Sequence, residues 1–326
     1  MAINLVLLIH LAFLLSIPIH IWPELSFLPW LVTKGLVPYR DFFDHHGFFL
    51  SYILALVPGD ALYIVTQLTN TVLVYKILRK SIFFTLFFVL VSVFTSENFL
   101  WYEGVITMLY LLIYLLLIQK SSLVLIGLLA GLVSLIKPTA AIILIPILLY
   151  RRNLIPHLVT GLVWVIVFMT YWIIGGLSPL ISNLFLFNQF LFKYYEGFPV
   201  GDKRILLLSA CMIIFCVYAA IRSKIIRLVL LPFSYMFVSL VFLRLAYGKE
   251  HLVPIATFFV IFVATTFAHT SRRNKILLAG AICVLSLALV RQINYRYAII
   301  RTERAMAARN TTLSNVAQFL NQSDYR

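Results

Sequence analysis

The densest group of polar side chains in this chain lies in one short segment, Gly35 to Gly47. Within seven positions the segment holds a guanidinium, two carboxylates and two imidazoles, from Arg40, Asp41, Asp44, His45 and His46. Carboxylates and imidazoles can exchange protons or bind a divalent cation, and a guanidinium can bind phosphate. The spacing of these residues is not specific to a metal site, so an exposed segment that precedes a helix is the alternative.

Two further carboxylates could take part in chemistry. Glu24 directly follows Trp22 and Pro23 at the end of the first apolar run, where it could accept a proton from an attacking hydroxyl. Its alternative is a solvated acid at a helix end. Glu103 enters an apolar run, and ionisable groups at that depth are costly and usually face a cavity. An acid that reaches back to the interface is the alternative for Glu103.

Several cations are predicted to lie on the same side of the chain as these acids. Lys137 separates two apolar runs, and Lys249 and His251 lie together just before Pro254. Together with Arg40, these groups could hold an anion at the membrane surface, and a lipid phosphate is the natural candidate. Each basic residue taken alone is equally typical of an interfacial anchor.

The composition indicates whether the chain is surrounded by water or by lipid. Hydrophobic residues make up 63% of the chain, charged residues make up 11%, and the mean hydropathy is +1.02. Soluble domains contain roughly 45–50% apolar and about 25% charged residues, so this chain is predicted to be an integral membrane protein. The net charge of +15 then indicates cytoplasmic loops that orient the helices, and no nucleic-acid partner is expected.

The apolar runs predict an all-α polytopic fold with about eleven transmembrane helices. Basic clusters without acids alternate with segments that carry the acids, which predicts an internal N-terminus and an external site. Residues 1–291 form the predicted transmembrane domain, with outer loops at 21–59 and 177–204 and an outer tail at 292–326. An interfacial helix is predicted over Phe42 to Val57. The predicted spans are 3–20, 60–76, 81–96, 100–119, 121–136, 138–150, 155–175, 205–221, 228–246, 252–270 and 275–291.

Several motifs resemble those of the GT-C glycosyltransferases, in particular bacterial members akin to protein O-mannosyltransferases and the lipid A aminoarabinose transferase. The segment Gly35 to Gly47 is similar to the family's Gly-x-x-Pro-Tyr-Arg-Asp segment. Pro23-Glu24 resembles the acidic pair that opens the first outer loop of the family. Lys137-Pro138-Thr139 and His251 to Pro254 resemble two turns that recur in it.

This resemblance implies roles for individual residues. Glu24 would activate the acceptor, and Asp44 with His45 would lie near the donor phosphate or a metal. Lys137, His251, Lys249 and Arg40 would hold the phosphate of a polyprenyl donor. Three residues would bind a divalent metal ion or would contact and position the residues of the site: Asp41, His45 and Glu103. No cofactor other than such a metal ion is expected.

The expected activity is therefore transfer of a sugar, with inversion, from a polyprenyl phosphate to a hydroxyl of a lipid, glycan or protein. The bacterial plasma membrane is the expected location, with the site on its outer face. A lipid-linked saccharide flippase or another polytopic transporter is the alternative from a different class, and it predicts ionisable residues at mid-bilayer. A non-catalytic membrane partner is a third possibility.

Overall fold

The computed structural model describes residues 2–16, 19–44, 46–96, 98–187, 203–245 and 249–309. Nearly all of these residues are helical. The strand pairing in this part of the chain joins His20–Ile21 (β1) to Phe99–Leu100 (β2) in parallel. The all-α class predicted from the sequence is therefore confirmed.

The helices follow one another with short connections. In chain order they are α1 (Ala2–Ser16), α2 (Pro23–Thr33), α3 (Phe49–Leu56), α4 (Gly59–Ile77), α5 (Ile82–Ser96), α6 (Tyr102–Ile118), α7 (Leu123–Ile136), α8 (Leu144–Arg151), α9 (Ile155–Ile173), α10 (Leu177–Ile181), α11 (Lys203–Arg222), α12 (Ile226–Val238), α13 (Val253–His269) and α14 (Arg272–Arg309). Shorter 3-10 helices cover Pro138–Ile143, Ser239–Leu245 and Lys249–Leu252, and a π-helical turn covers Ser182–Phe187.

Each segment that the sequence predicted to span contains one of these helices. By length and composition, two of the described helical segments could cross a membrane, Ile155–Ile173 and Arg272–Tyr295. A third is added if α3 and α4, which meet at a bend of 110°, form one broken span. The other apolar helices are between 10 and 17 residues long.

The outer surface of the bundle is apolar. On α9 alone, eight large hydrophobic side chains are exposed: Ile155, Leu158, Leu162, Val165, Ile166, Met169, Trp172 and Ile173. A contiguous apolar face of this kind is typical of contact with lipid, because water would make it costly. The helices are thus those of a membrane protein, as the composition predicted.

Close packing of α7 on α9 fixes the helix that leads to Lys137. A Cβ on Gly127 would lie 2.7 Å from Val159 Cβ, and one on Gly131 would lie 2.9 Å from Val163 Cγ2. Small residues four positions apart let two membrane helices approach in this way. Trp164 Nε1 also donates to Ser134 Oγ at 2.8 Å near the end of α7.

The segment predicted as the first outer loop contains two short helices where the sequence predicted one. The helix expected over Phe42 to Val57 is shorter, since α3 covers only Phe49–Leu56. In addition, α2 begins at Pro23 and packs on α3. Proline suits the first helical position, because it has no N–H that would need an acceptor and its φ is already helical. This is why the Trp22-Pro23-Glu24 sequence starts a helix.

Basic residues lie in the turns at the end of the bundle opposite the β1–β2 pair. Lys80, Lys120, Arg152 and Lys224 all have positive φ, between 49° and 67°, directly after or near a helix end. Helices that begin beside the β1–β2 pair, such as α4 and α6, end at these turns. The C-terminal segment differs from its prediction, because α14 continues as a helix to Arg309 instead of ending near residue 291.

Candidate active site

Two carboxylates and an imidazole form a cluster at the end of the bundle that carries the β1–β2 pair. His46 Nδ1 lies 3.4 Å from Glu24 Oε1 and 3.9 Å from Asp44 Oδ1. The backbone N–H of His46 also donates to Asp44 Oδ1 at 2.8 Å. We call Glu24, Asp44 and His46 the acid cluster. It joins the start of α2 to the loop between Thr33 and Phe49, which precedes α3 and which we call the polar loop.

Gly47 binds this loop to the end of α7 through its backbone. Its N–H donates to the carbonyl oxygen of Ile136 at 2.9 Å. A Cβ at this position would lie 1.9 Å from the carbonyl oxygen of Leu135, so only glycine allows the backbones to approach this closely. Tyr39 holds the preceding residue, because its hydroxyl donates to the carbonyl oxygen of His46.

A second cluster contains one buried carboxylate, one lysine and one histidine. Glu103 Oε1 accepts from Lys137 Nζ at 2.6 Å and lies 2.8 Å from His251 Nδ1. The Glu103 side chain is 0% exposed, and that of Lys137 is 12% exposed. We call these three residues the ion triad. They come from the start of α6, the residue after α7 and the 3-10 helix before α13.

Two aromatic residues join the clusters. The His46 ring stacks on Tyr102 with centroids 4.1 Å apart. Trp101 meets the His46 ring edge-on at 5.7 Å and the His251 ring at 5.9 Å. The positive charge of Lys137 also acts on Glu24, where it opposes the increase in pKa that burial causes. The acid cluster and the ion triad are therefore one continuous site.

Burial changes the proton affinity of both acids in the acid cluster. Loss of water raises the pKa of Glu24 to about 7, and Lys137 opposes this increase. Burial also raises the pKa of Asp44 to about 7, with a further increase from the charge of Glu24 and a decrease from the His46 N–H. Both carboxyls can therefore gain or lose a proton near neutral pH, which suits general acid–base chemistry.

Several buried polar atoms around these clusters have no hydrogen-bond partner among the described residues. The acceptors are carboxylate oxygens, and the donors are an indole N–H and a phenol: Glu24 Oε1, Asp44 Oδ2, Glu103 Oε2, Trp101 Nε1 and Tyr102 Oη. Buried polar groups are usually paired, and each exception calls for an explanation. A polar ligand with both hydroxyl donors and oxygen acceptors would satisfy this set.

The structure brings together five of the residues singled out from the sequence and separates others. The five are Glu24, Asp44, Glu103, Lys137 and His251. Arg40 and Asp41 form an ion pair of 2.7 Å with each other, and Arg40 lowers the pKa of Asp41. No hydrogen bond or ion pair between described residues links that pair to the two clusters. His45 and the side chain of Lys249 lie outside the described part.

Sequence reasoning missed Trp101 and Tyr102 and gave His46 only a shared role. His46 was named with His45 as a possible ligand of a divalent cation, and the resemblance assigned a role to His45 alone. Trp101 and Tyr102 precede Glu103 directly, and that adjacency was the available signal. The partners of Lys137 were also missed, because Glu103 and His251 lie 34 and 114 positions away from it.

The sequence proposed Asp41, His45 and Glu103 for a metal site, and His45 lies outside the described residues. Within the described residues, no group of three or more His, Cys, Asp or Glu side chains is placed to hold a metal ion. Asp41 is occupied by Arg40, and Glu103 is occupied by Lys137 and His251. We therefore assign no chemical step to a metal.

An open groove of about 280 Å³ runs along α2 toward α3. It is lined by Ile21, Leu25, Ser26, Pro29, Trp30, Thr33, Leu54 and Gly59, and Glu24 is not part of its lining. Its walls are mostly apolar, so it could receive an apolar group. A comparison with family models, with curated proteins and with solved structures found no match to this chain.

Proposed function

We propose that this protein is a membrane-embedded glycosyltransferase of the GT-C type, which moves a sugar from a polyprenyl phosphate to an acceptor hydroxyl. The observation that carries the proposal is the junction of the acid cluster and the ion triad. It places a carboxyl with a pKa of about 7 within electrostatic reach of Lys137. A base beside a cation is what the transfer of a sugar from a phosphate to a hydroxyl requires.

The ion triad is the proposed phosphate site. Lys137 has three N–H donors, and the contact with Glu103 uses one of them. The remaining donors can bind phosphate oxygens, and His251 can contribute from the same side. Glu103 holds both cationic side chains in place, since one carboxylate oxygen contacts each of them.

In the proposed reaction, Glu24 takes the proton of the acceptor hydroxyl. The hydroxyl oxygen forms a bond to the anomeric carbon from the face opposite the phosphate. The bond between that carbon and the phosphate oxygen breaks, the phosphate keeps the electron pair, and the configuration inverts. Lys137 stabilises the charge that develops on the leaving phosphate, and one such contact is typically worth about 2.7–4 kcal/mol.

The sugar would lie between the two clusters. The unpaired carboxylate oxygens of Asp44 and Glu103 can accept hydrogen bonds from sugar hydroxyls, and Trp101 Nε1 can donate one. The groove along α2 could receive the apolar part of an acceptor. The acceptor would be a lipid, a glycan or a protein.

The proposal includes an arrangement in the membrane. Eleven crossings place the N-terminus inside and the site on the outer face of a bacterial plasma membrane. Its support is that the carboxylates of the site gather at one end of the helices, whereas Lys80, Lys120 and Arg152 close turns at the other end.

The decisive experiment is transfer from a radiolabelled polyprenyl-phosphate sugar in proteoliposomes. We expect the wild-type protein to transfer label to a hydroxyl acceptor, and Glu24→Gln to reduce the rate by at least about 100-fold, because a general base contributes roughly 10²–10⁴. Asp60→Asn is the matched control, since Asp60 is an exposed acid outside both clusters. Full activity of both Glu24→Gln and Asp44→Asn would rule out the proposed mechanism.

One observation favours transport as a second candidate function. Polar side chains of α1, α4 and α5 meet inside the bundle, where His10 Nδ1 lies 2.7 Å from Thr71 Oγ1 and Ser92 Oγ donates to Gln67 Oε1 at 2.8 Å. Ionisable groups within membrane helices often mark a transport path. A transporter would move intact labelled lipid between leaflets without breaking its sugar–phosphate bond, and the same proteoliposomes distinguish the two outcomes.

A further inference from the structure

We propose that His46 acts through Glu24 as a positioning residue: its protonated imidazole bridges the two carboxylates and keeps Glu24 ionised, so that Glu24 can accept the hydroxyl proton. This inference rests on the proposed function. It concerns a residue to which the sequence assigned no role in the transfer reaction.

The position of the imidazole supports this role. His46 Nδ1 points to the space between Glu24 and Asp44, at 3.4 Å and 3.9 Å. A positive charge this close to a carboxylate favours its ionised form. The His46 side chain is only 9% exposed, so water screens the interaction weakly.

The surroundings hold the ring in this orientation from several sides. Tyr102 stacks on one face, Trp101 meets the ring edge-on, and Tyr39 binds the backbone carbonyl. Asp44 accepts the backbone N–H, and the next residue, Gly47, is bound to the end of α7. Separate contacts therefore fix the backbone and the ring of His46, which holds Nδ1 toward the two carboxylates.

The charged and titratable groups that face His46 come from several packed elements. On the polar loop and α2 these are Asp44 and Glu24, and on α6 it is Tyr102. Beyond them lie the groups of the ion triad, of which Lys137 acts on Glu24 and His251 contacts Trp101. Lys137 is paired with Glu103 at 2.6 Å, so much of its charge is already offset. His46 Nδ1 lies 3.4 Å from Glu24 Oε1, so a proton on this ring places a positive charge directly beside the carboxylate.

In the transfer step, the proton that the acceptor hydroxyl loses is taken up by Glu24. The acceptor hydroxyl gives its proton to the ionised Glu24, the new carbon–oxygen bond forms, and the phosphate leaves with the electron pair. His46 keeps its own proton throughout. Its effect is to increase the fraction of Glu24 that is ionised at a given pH.

The first test is the pH profile of sugar transfer in proteoliposomes for the wild-type protein, His46→Asn, His46→Phe and the control His20→Asn. His20 is exposed and lies outside the acid cluster. We expect both His46 variants to move the acid limb upward by about one pH unit or more, as for loss of an opposite charge within ~4–6 Å. His46→Phe can keep the stacking on Tyr102, so a shift in this variant reports charge and not ring packing. His20→Asn should follow the wild-type curve.

The second test needs no activity. Infrared difference spectra of the protein in lipid report the C=O band of protonated carboxyls, and Glu24→Gln identifies the band of Glu24. We expect the Glu24 band to persist to higher pH in His46→Asn than in the wild-type protein. An unchanged titration of this band, together with an unchanged acid limb, would overturn the inference. Absence of transfer by the wild-type protein would instead overturn the proposed function, and the infrared shift would still decide the role of His46.

Discussion

Glu103 is the acid with the most restricted surroundings in the site. Its side chain is 0% exposed, and one oxygen contacts both Lys137 Nζ and His251 Nδ1. A buried ion pair is weak evidence for stability as such, but removal of one partner leaves the other as an uncompensated buried charge. The residue therefore matters for the fold as well as for any ligand.

We predict that Glu103→Gln lowers the free energy of unfolding by about 3–5 kcal/mol, because Lys137 then loses its counter-charge in a nearly dry site. Thermal denaturation in detergent measures this change. Asp60→Asn removes an exposed acid at the start of α4 and should change the free energy by less than about 1 kcal/mol. Equal effects of the two substitutions would contradict the assigned role of the ion triad.

The acid cluster predicts a dependence of stability on pH. Burial raises the pKa of Asp44 to about 7 in the folded protein, so the folded state binds this proton more tightly than the unfolded state. The contribution of Asp44 is fully present below about pH 4 and is lost as the pH rises to about 7. Its upper limit is on the order of 4 kcal/mol.

We therefore expect the melting temperature in detergent to decrease between about pH 4 and about pH 7, and Asp44→Asn to flatten that part of the curve. Asparagine can still accept the N–H of His46, so the loop keeps its backbone contact. A curve with the same slope in the variant and in the wild-type protein would show that Asp44 is not the group responsible.

At the scale of the elements, the polar loop depends on its contact with the end of α7. Gly47 allows this contact, and the loop then carries His46 and Asp44 to Glu24 at the start of α2. The sequence showed the residues of the loop but not the surface on which it docks, since Leu135 and Ile136 are ordinary apolar residues near the end of an apolar run.

Gly47→Ala should displace the loop, because the new Cβ would lie 1.9 Å from a backbone oxygen that belongs to a helix. We expect loss of sugar transfer by at least about 100-fold and a lower melting temperature. Gly161→Ala is the matched control: it lies within α9 with nothing within 4 Å of an added Cβ, and alanine favours a helix. An active Gly47→Ala protein would show that the acid cluster does not need this contact.

The sequence predicted the helices better than their contacts. Apolar length and basic turns were sufficient to locate a helix in each predicted span, because both are local properties of the chain. The ion triad was not predicted as a unit, since Glu103, Lys137 and His251 meet only after three helices pack. The interfacial helix was too long in the prediction because apolar residues before Phe49 pack as a loop, and α2 was missed although Pro23 begins it.

At the scale of the whole molecule, the proposal requires that the two ends of the bundle face different compartments. The acid cluster and the ion triad share one end with the β1–β2 pair, and Lys80 and Arg152 close turns at the other. Membrane proteins keep short loops that are rich in lysine and arginine in the cytoplasm, so the end with these turns is the expected cytoplasmic end. An outer site would meet lipid-linked donors and would be separated from cytosolic nucleotide sugars.

This arrangement predicts which positions an impermeant thiol reagent can reach. In a background without Cys211, Cys216 and Cys283, we expect Asp60→Cys to react with an impermeant maleimide on intact cells, because α4 begins at the outer end. Lys80→Cys and Arg152→Cys should react only after the membrane is permeabilised. All three positions are exposed, so a failure to react reports the compartment and not burial. The reverse pattern would place Glu24 and Lys137 in the cytosol, where transfer from an externally presented polyprenyl phosphate could not occur.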